Sequence, residues 1–197
     1  MKVYSILILF CFLETLLCNA EGVDANTFKN AFNKALPYMK TFHQSIFNIP
    51  DKGNFVGLKL HFEELNSNNV LFTFDEFGLL HIKFVNLNLK ITGNYQLKFP
   101  FHIFSNVFSS QLTNFNWEET YALSSTKLAN GKYSIKYKFT ADTDLNFNTL
   151  TPQLNNDKLK KFSEAVIKGN LKTLDFSSFK LHLKKLVKLI FDTIQNN

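Results

Sequence analysis

The chain has 197 residues, of which 45% are hydrophobic, 19% are charged and 23 are Phe, a composition too apolar and aromatic for a disordered chain. Seven Gly and four Pro exclude collagen-like and linker-like sequences, and no internal period marks a solenoid or propeller. The net charge of +6 comes from Lys alone, and the complete absence of Arg argues against a nucleic-acid partner, which would use Arg for bidentate contacts.

Met1 to Ala20 read as a secretory leader. Lys2 precedes an apolar stretch from Val3 to Leu17, and small residues stand at the positions read before cleavage, Cys18 and Ala20. Glu14 splits the run, which a membrane anchor would want unbroken over about 20 residues. The expected mature chain is one domain from Glu21 to Asn197, secreted or delivered to a secretory or vacuolar lumen. Both cysteines, Cys11 and Cys18, lie in the leader, so the mature chain would have no disulfide, no thiolate nucleophile and no Cys metal ligand.

From Asn26 to Phe47, Phe28, Ala31, Phe32, Ala35, Leu36, Met39, Phe42 and Ile46 recur at steps of three and four. That spacing predicts an amphipathic helix capped by Asp24 or Asn26, kinked at Pro37 and ended by the turn at Ile49 to Gly53. The period then changes to two. Leu58, Leu60 and Phe62 alternate with Lys59, His61 and Glu63 in a first strand, and Val70 to Phe74 form a short one between turns at Asn66–Asn69 and Asp75–Gly78.

At every odd position from Val85 to Phe99 the residue is apolar or Gly, with polar residues between. This is one very long, one-sided strand, or two joined at Gly93. Leu80, Ile82 and Phe84 sit on even positions, so the phase flips at Phe84–Val85, as a β-bulge requires. After a Phe-rich stretch around Phe99 to Phe108, a further strand is expected between Phe115 and Leu123. The turn Ala129–Lys132 leads into a strand with Tyr133, Ile135, Tyr137, Phe139 and Ala141 on one face, continued by Leu145, Phe147 and Thr149. A short helix is expected from Asn155–Asp157 to Ile167, stopped by Gly169. The last helix spans about Ser177 to Ile194, with Phe179, Leu183, Leu186, Val187, Ile190 and Ile194 on one face and Lys180, Lys184, Lys185 and Lys188 on the other.

No nucleophile elbow, phosphate loop, zinc spacing or calcium loop occurs, and the five His residues are scattered singly. The adjacent carboxylates Glu63–Glu64, Asp75–Glu76 and Glu118–Glu119 read as turn and surface charges, since neighbours on a strand face opposite ways. No catalytic residue, metal site or cofactor is expected. A strand of about 15 residues spans about 50 Å and needs a long cover, which two amphipathic helices of about 30 Å would supply. Space left between such faces is apolar and suits acyl chains. The expected lining is Phe28, Phe32, Leu36 and Met39 of the first helix, Leu183, Leu186 and Ile190 of the last, and Leu89, Ile91, Tyr95, Leu97, Ile135, Tyr137 and Phe139 of the strands.

The order of these features resembles a known family. The leader, the helix closing on Ile49–Asp51, the strand from Gly57 to Leu60, and Phe77–Leu80 opening a strand that reaches Ile91–Tyr95 are similar to the N-terminal lobe of bactericidal/permeability-increasing protein. Lipopolysaccharide-binding and lipid-transfer proteins of the tubular lipid-binding superfamily are related to it. The resemblance covers about Gly22 to Phe147, with the last helix matching in position. It implies an α+β fold in which long amphipathic helices are wrapped by a curved, highly twisted antiparallel sheet, with lipid tails held between. It also implies no catalytic residues, and a phospholipid or other amphipathic lipid as partner. The family's pair of cysteines tying strand to helix is absent here, as is its cluster of Arg and Lys at the tip. The alternative reading is a cationic, antimicrobial protein using Lys180, Lys184, Lys185 and Lys188 against a membrane surface.

Overall fold

In the computed structural model, residues 22–39, 46–62, 65–149, 153–154, 160–171 and 173–196 are described. The leader lies outside them, as does the cap expected at Asn155–Asp157. The architecture is α+β, a long antiparallel sheet carrying helices against its apolar face.

Helix α1 (Ala25–Ala35) starts at Asp24, whose carboxylate accepts a hydrogen bond from the Thr27 backbone N–H at 2.8 Å. It is shorter than its apolar periodicity suggests. Pro37 cannot donate into the ladder, and the helix tightens into a 3-10 turn over Leu36–Met39 instead of kinking and continuing. Residues 40–45 lie outside the described ones, and Ile46–Ile49 form strand β1, not the helix end expected there. Its alternating burial and its pairing with β2 (Phe55–Phe62) account for the switch: Phe47 and Ile49 face the core, while Ile46 and Asn48 face out.

Strands β4 (Leu80–Phe99) and β5 (His102–Lys127) form one hairpin paired from Leu80↔Tyr121 to Phe99↔His102. Shorter strands line its two outer edges. On the β4 side, β3 (Val70–Phe74) pairs with Leu80–Phe84, and β2 pairs with Leu89–Tyr95. On the β5 side, β6 (Tyr133–Asp142), β7 (Asn146–Thr149) and β8 (Gln153–Leu154) follow one another from Lys127 back to Phe108.

The phase flip in β4 is a bulge. The register shifts between Phe84 and Leu87, and Asn86 adopts φ of 53°, a conformation Asn tolerates better than most residues. Gly93 is not a joint between two strands; it permits close approach. A Cβ there would stand 2.8 Å from Leu58 Cδ2 and 3.3 Å from Leu58 Cα, where β2 bulges between Val56 and Lys59.

Helix α2 (Lys160–Leu171) runs through Gly169 and lies near β8; α3 (Ser177–Asn196) crosses the sheet. The direction of α3 follows from its contacts. Phe179 near its start meets Phe47 and Phe115, Phe191 meets Tyr121, and Gln195 near its end donates to the Ile135 carbonyl. Helix α1 fills the space beside it, with Phe28 against Phe191 at 5.5 Å and against Phe72 of β3 at 5.9 Å.

Candidate functional site

Most of the expected lining residues meet. Phe28, Phe32, Leu89, Ile91, Tyr95, Ile135, Leu183, Leu186 and Ile190 are buried in one continuous cluster between helices and sheet, with Leu36 and Leu97 packed against it. The Met39 side chain lies outside the described residues.

Tyr137 and Phe139 depart from their expected interior place. They do point to the apolar side, opposite buried Leu123 and Tyr121, but β6 is an edge strand and both residues are exposed. Tyr137 stacks on Phe191 at 3.9 Å, and the Lys184 ammonium sits 4.4 Å from the Phe139 ring centre. They form a rim.

A second departure concerns charge. Glu119 is fully buried on the apolar face, so Glu118–Glu119 is not a pair of surface charges. One Glu119 oxygen accepts a 2.7 Å hydrogen bond from the Tyr121 hydroxyl, and the other lies 3.8 Å from Lys184 Nζ. Burial pushes the Glu119 carboxyl above its ordinary range, with the Tyr121 hydrogen bond and Lys184 pulling the other way. Burial and the hydrogen bond to Glu119 likewise push the Tyr121 phenol up. Asp142 is 3.5 Å from Lys184 and 3.9 Å from Lys180, so two members of the α3 lysine stripe turn toward carboxylates.

Glu118, on the opposite face, belongs to another group. His81 Nδ1 is 2.6 Å from Glu118 Oε1, and His81 Nε2 is 3.1 Å from Asp75 Oδ2. Asp75 also accepts from the backbone of Phe77 and Leu79, so His81 ties the β3–β4 turn to β5. The Thr120 hydroxyl lies 3.4 Å from His81 Nδ1, the nitrogen that also faces Glu118. Burial lowers the His81 pKa, but hydrogen bonds to Asp75 and Glu118, and their charges, outweigh it and raise the value above 6.5. For Asp75, burial works upward and is outweighed by the His81 and backbone hydrogen bonds, leaving it below 3.8.

A group with a raised folded pKa stabilises below its unfolded value and loses that contribution as pH rises through the folded one. A carboxylate with a depressed value does the reverse, so this clasp is complete between about pH 3.8 and 6.5. Urea unfolding of His81→Asn should therefore show its greatest loss relative to wild type in that window, shrinking above it. A loss independent of pH would mean that packing alone holds the turn.

Among the described residues, one space open to a ligand lies at one end of the helix pair. Thr27, Asn30, Ala31 and Lys34 of α1, Ile194 of α3 and Asn130–Tyr133 of the β5–β6 turn enclose a cleft of about 480 Å³. Its floor is the core itself, since Ala31 and Ile194 are buried members of the cluster and Tyr133 packs against it. The rim is amide and ammonium: Asn30, Asn130, Lys34 and Lys132. Sequence reasoning placed Tyr133 and Ile194 on apolar faces but not the cleft, because the β5–β6 turn and α1 are about 100 residues apart and meet only through the sheet. Among the described residues no three His, Cys, Asp or Glu side chains are arranged to hold a metal ion, and no helix is long and apolar enough to cross a membrane.

No family model matches the chain, and no curated protein matches it. One solved structure to which it is similar is that of Epiphyas postvittana Takeout 1, at 18% identity and a TM-score of 0.40, covering 91% of this chain and 93% of that one.

Proposed function

We propose that this protein is a secreted, non-enzymatic binder of an amphipathic lipid, with the acyl chain against the apolar face between helices and sheet and an anionic head at the cleft rim. The observation that carries the reading is the cleft. Its volume of about 480 Å³ lies within the ordinary range for small-molecule sites, and its floor is continuous with the core. A charged head would lose several kcal/mol or more, beyond the cost of burying an unpaired neutral polar group, if it entered that floor. At the rim, Lys34, Lys132 and the amides of Asn30 and Asn130 offer charge and hydrogen bonds to a carboxylate or phosphate while the apolar chain points inward. A phospholipid and a single-chain fatty acid share that chemistry.

Native mass spectrometry of the secreted protein, followed by organic extraction, tests the reading. A reproducible lipid adduct on a chain lacking residues 1–20 is expected. Ala31→Trp fills the floor and should reduce the adduct; Lys132→Glu, on an exposed turn, reverses charge at the rim and should weaken binding of an anionic lipid about tenfold. A clean unliganded mass after incubation with lipid vesicles would overturn the proposal and leave the cleft a surface hollow.

A further inference from the structure

The far end of the β4–β5 hairpin carries an exposed apolar cap that the core does not use. Beyond Tyr95 the strand β4 has left β2, and β5 meets β8 only from Phe108 onward. Residues 97–107 thus project as a two-stranded finger closed by the turn at Pro100–Phe101. Phe101 at its apex is 100% exposed, and Phe99, Ile103, Phe104 and Val107 are about half exposed or more.

The pattern differs from that of a core face running past its cover. Register places Ile103 and Val107 with Lys98 and Asn94 on the outer face, while Phe104 and Phe99 lie on the same side as Leu97 and His102. Both faces of the finger thus carry exposed apolar side chains, those on the outer face standing among Asn94, Gln96, Lys98 and Ser105, and the tip is apolar. A protein partner buries one face of an element; a lipid surface surrounds whatever enters it. The charge agrees. From Phe77 to Trp117 the chain contains no Asp or Glu; Lys83 pairs with Glu118 at the far end of the hairpin, while Lys90 and Lys98 place positive charge behind the apolar tip.

We infer that the β4–β5 finger docks the protein on anionic membranes by inserting Phe101 and its neighbours into the bilayer interface. Depth is limited by the backbone. The finger's outer edges carry peptide groups without strand partners among the described residues, and those groups must stay hydrated. Three residue pairs from the turn amount to about 10 Å, which matches the depth of the headgroup and upper acyl region. Lys98, three residues before the apex, would then lie at phosphate level. This surface is independent of the lipid-binding cleft, at which α1, α3 and the β5–β6 turn meet.

The test is flotation of the full secreted protein with phosphatidylcholine vesicles, with and without phosphatidylserine. Wild type should float with the anionic vesicles, and less so as salt rises. Phe101→Asp should weaken binding about tenfold or more, whereas Leu181→Asp on the exposed face of α3 should leave it unchanged. Phe101→Trp provides a direct reading. The one native Trp, Trp117, is buried, so a blue shift of the variant's emission on adding vesicles reports the tip entering lipid. Vesicle binding unaffected by Phe101→Asp, or unshifted emission from vesicle-bound Phe101→Trp protein, would overturn the inference. So would absence of vesicle binding with a dimer, seen by sedimentation, that Phe101→Asp dissolves; the finger would then be a contact between copies. Phe101→Asp should keep its lipid adduct in native mass spectrometry, which separates failure here from failure of the lipid-binding reading.

Discussion

Replacing Phe191 by Ala should lower the stability of the protein by about 3–5 kcal/mol, the range for deleting a fully buried aromatic ring. Phe191 is where three layers touch. Its ring meets Phe28 of α1 edge-on at 5.5 Å, Tyr121 of β5 at 5.4 Å, and lies flat on Tyr137 of β6 at 3.9 Å. Neither helix can close the gap without sliding past the other, so the cavity would persist and the loss should lie toward the upper end. For a chain of this size, that is a fall in melting temperature of about 10 °C. Leu181→Ala, on the exposed side of the same helix, supplies the comparison and should change stability by less than about 0.5 kcal/mol. Thermal unfolding followed by circular dichroism checks both; a Phe191→Ala loss near 1 kcal/mol would mean that the layers collapse freely around the gap. The substitution also tests the lipid-binding reading, because removing the ring on which Tyr137 rests enlarges the apolar space and should not abolish an adduct that depends on the cleft.

How far these contacts were legible in the sequence depended on whether a segment obeyed one period throughout. In β4 the odd-position alternation from Val85 to Phe99 gave the strand, its face and, through the phase flip, the bulge that Asn86 makes at φ of 53°. In β5 the same logic reached only Phe115 to Leu123. The strand begins at His102, but at the finger each face mixes apolar and polar residues, so alternation vanishes where the strand is most exposed. The helix beyond Ala35 failed for a different reason. Phe42 and Ile46 kept a helical spacing past Pro37, yet Ile46–Ile49 pair with β2, and a tertiary partner outweighed local periodicity. Glu119 could have been found. Trp117, Glu119, Tyr121 and Leu123 occupy alternate positions, which places the carboxylate on the apolar face, whereas its neighbour Glu118 made the pair look like surface charge. Conversely, alternation put Tyr137 and Phe139 on the correct side of β6, but strand order alone decided that β6 is an edge.

The buried carboxylate leads to a pH-dependent expectation. Tyr121→Phe removes the hydroxyl that donates to Glu119 while keeping the ring that packs on Phe191, and should cost about 1–3 kcal/mol at neutral pH, the penalty for stripping a buried acceptor of its donor. The groups facing Glu119 are Tyr121 on its own strand, Asp142 on β6, and Lys180 and Lys184 on α3. Burial dominates among them and raises the folded pKa above 4.5. The sign then follows: a carboxyl whose folded value is raised contributes no penalty well below its unfolded value, and its charged form costs stability increasingly as pH climbs through the folded value. Glu119→Gln should therefore match wild type in acid and exceed it at neutral pH, because an uncharged amide accepts from Tyr121 without the desolvation of an anion. For Tyr121→Phe the loss should grow with pH, and in the double variant most of it should disappear. Urea unfolding of the four proteins across the acid and neutral range reads all of this in one cycle. Glu119→Gln less stable than wild type at neutral pH would reverse the conclusion. The attraction of Lys184 for Glu119 would then outweigh burial, and the carboxylate would be an anchor that fastens α3 to the sheet.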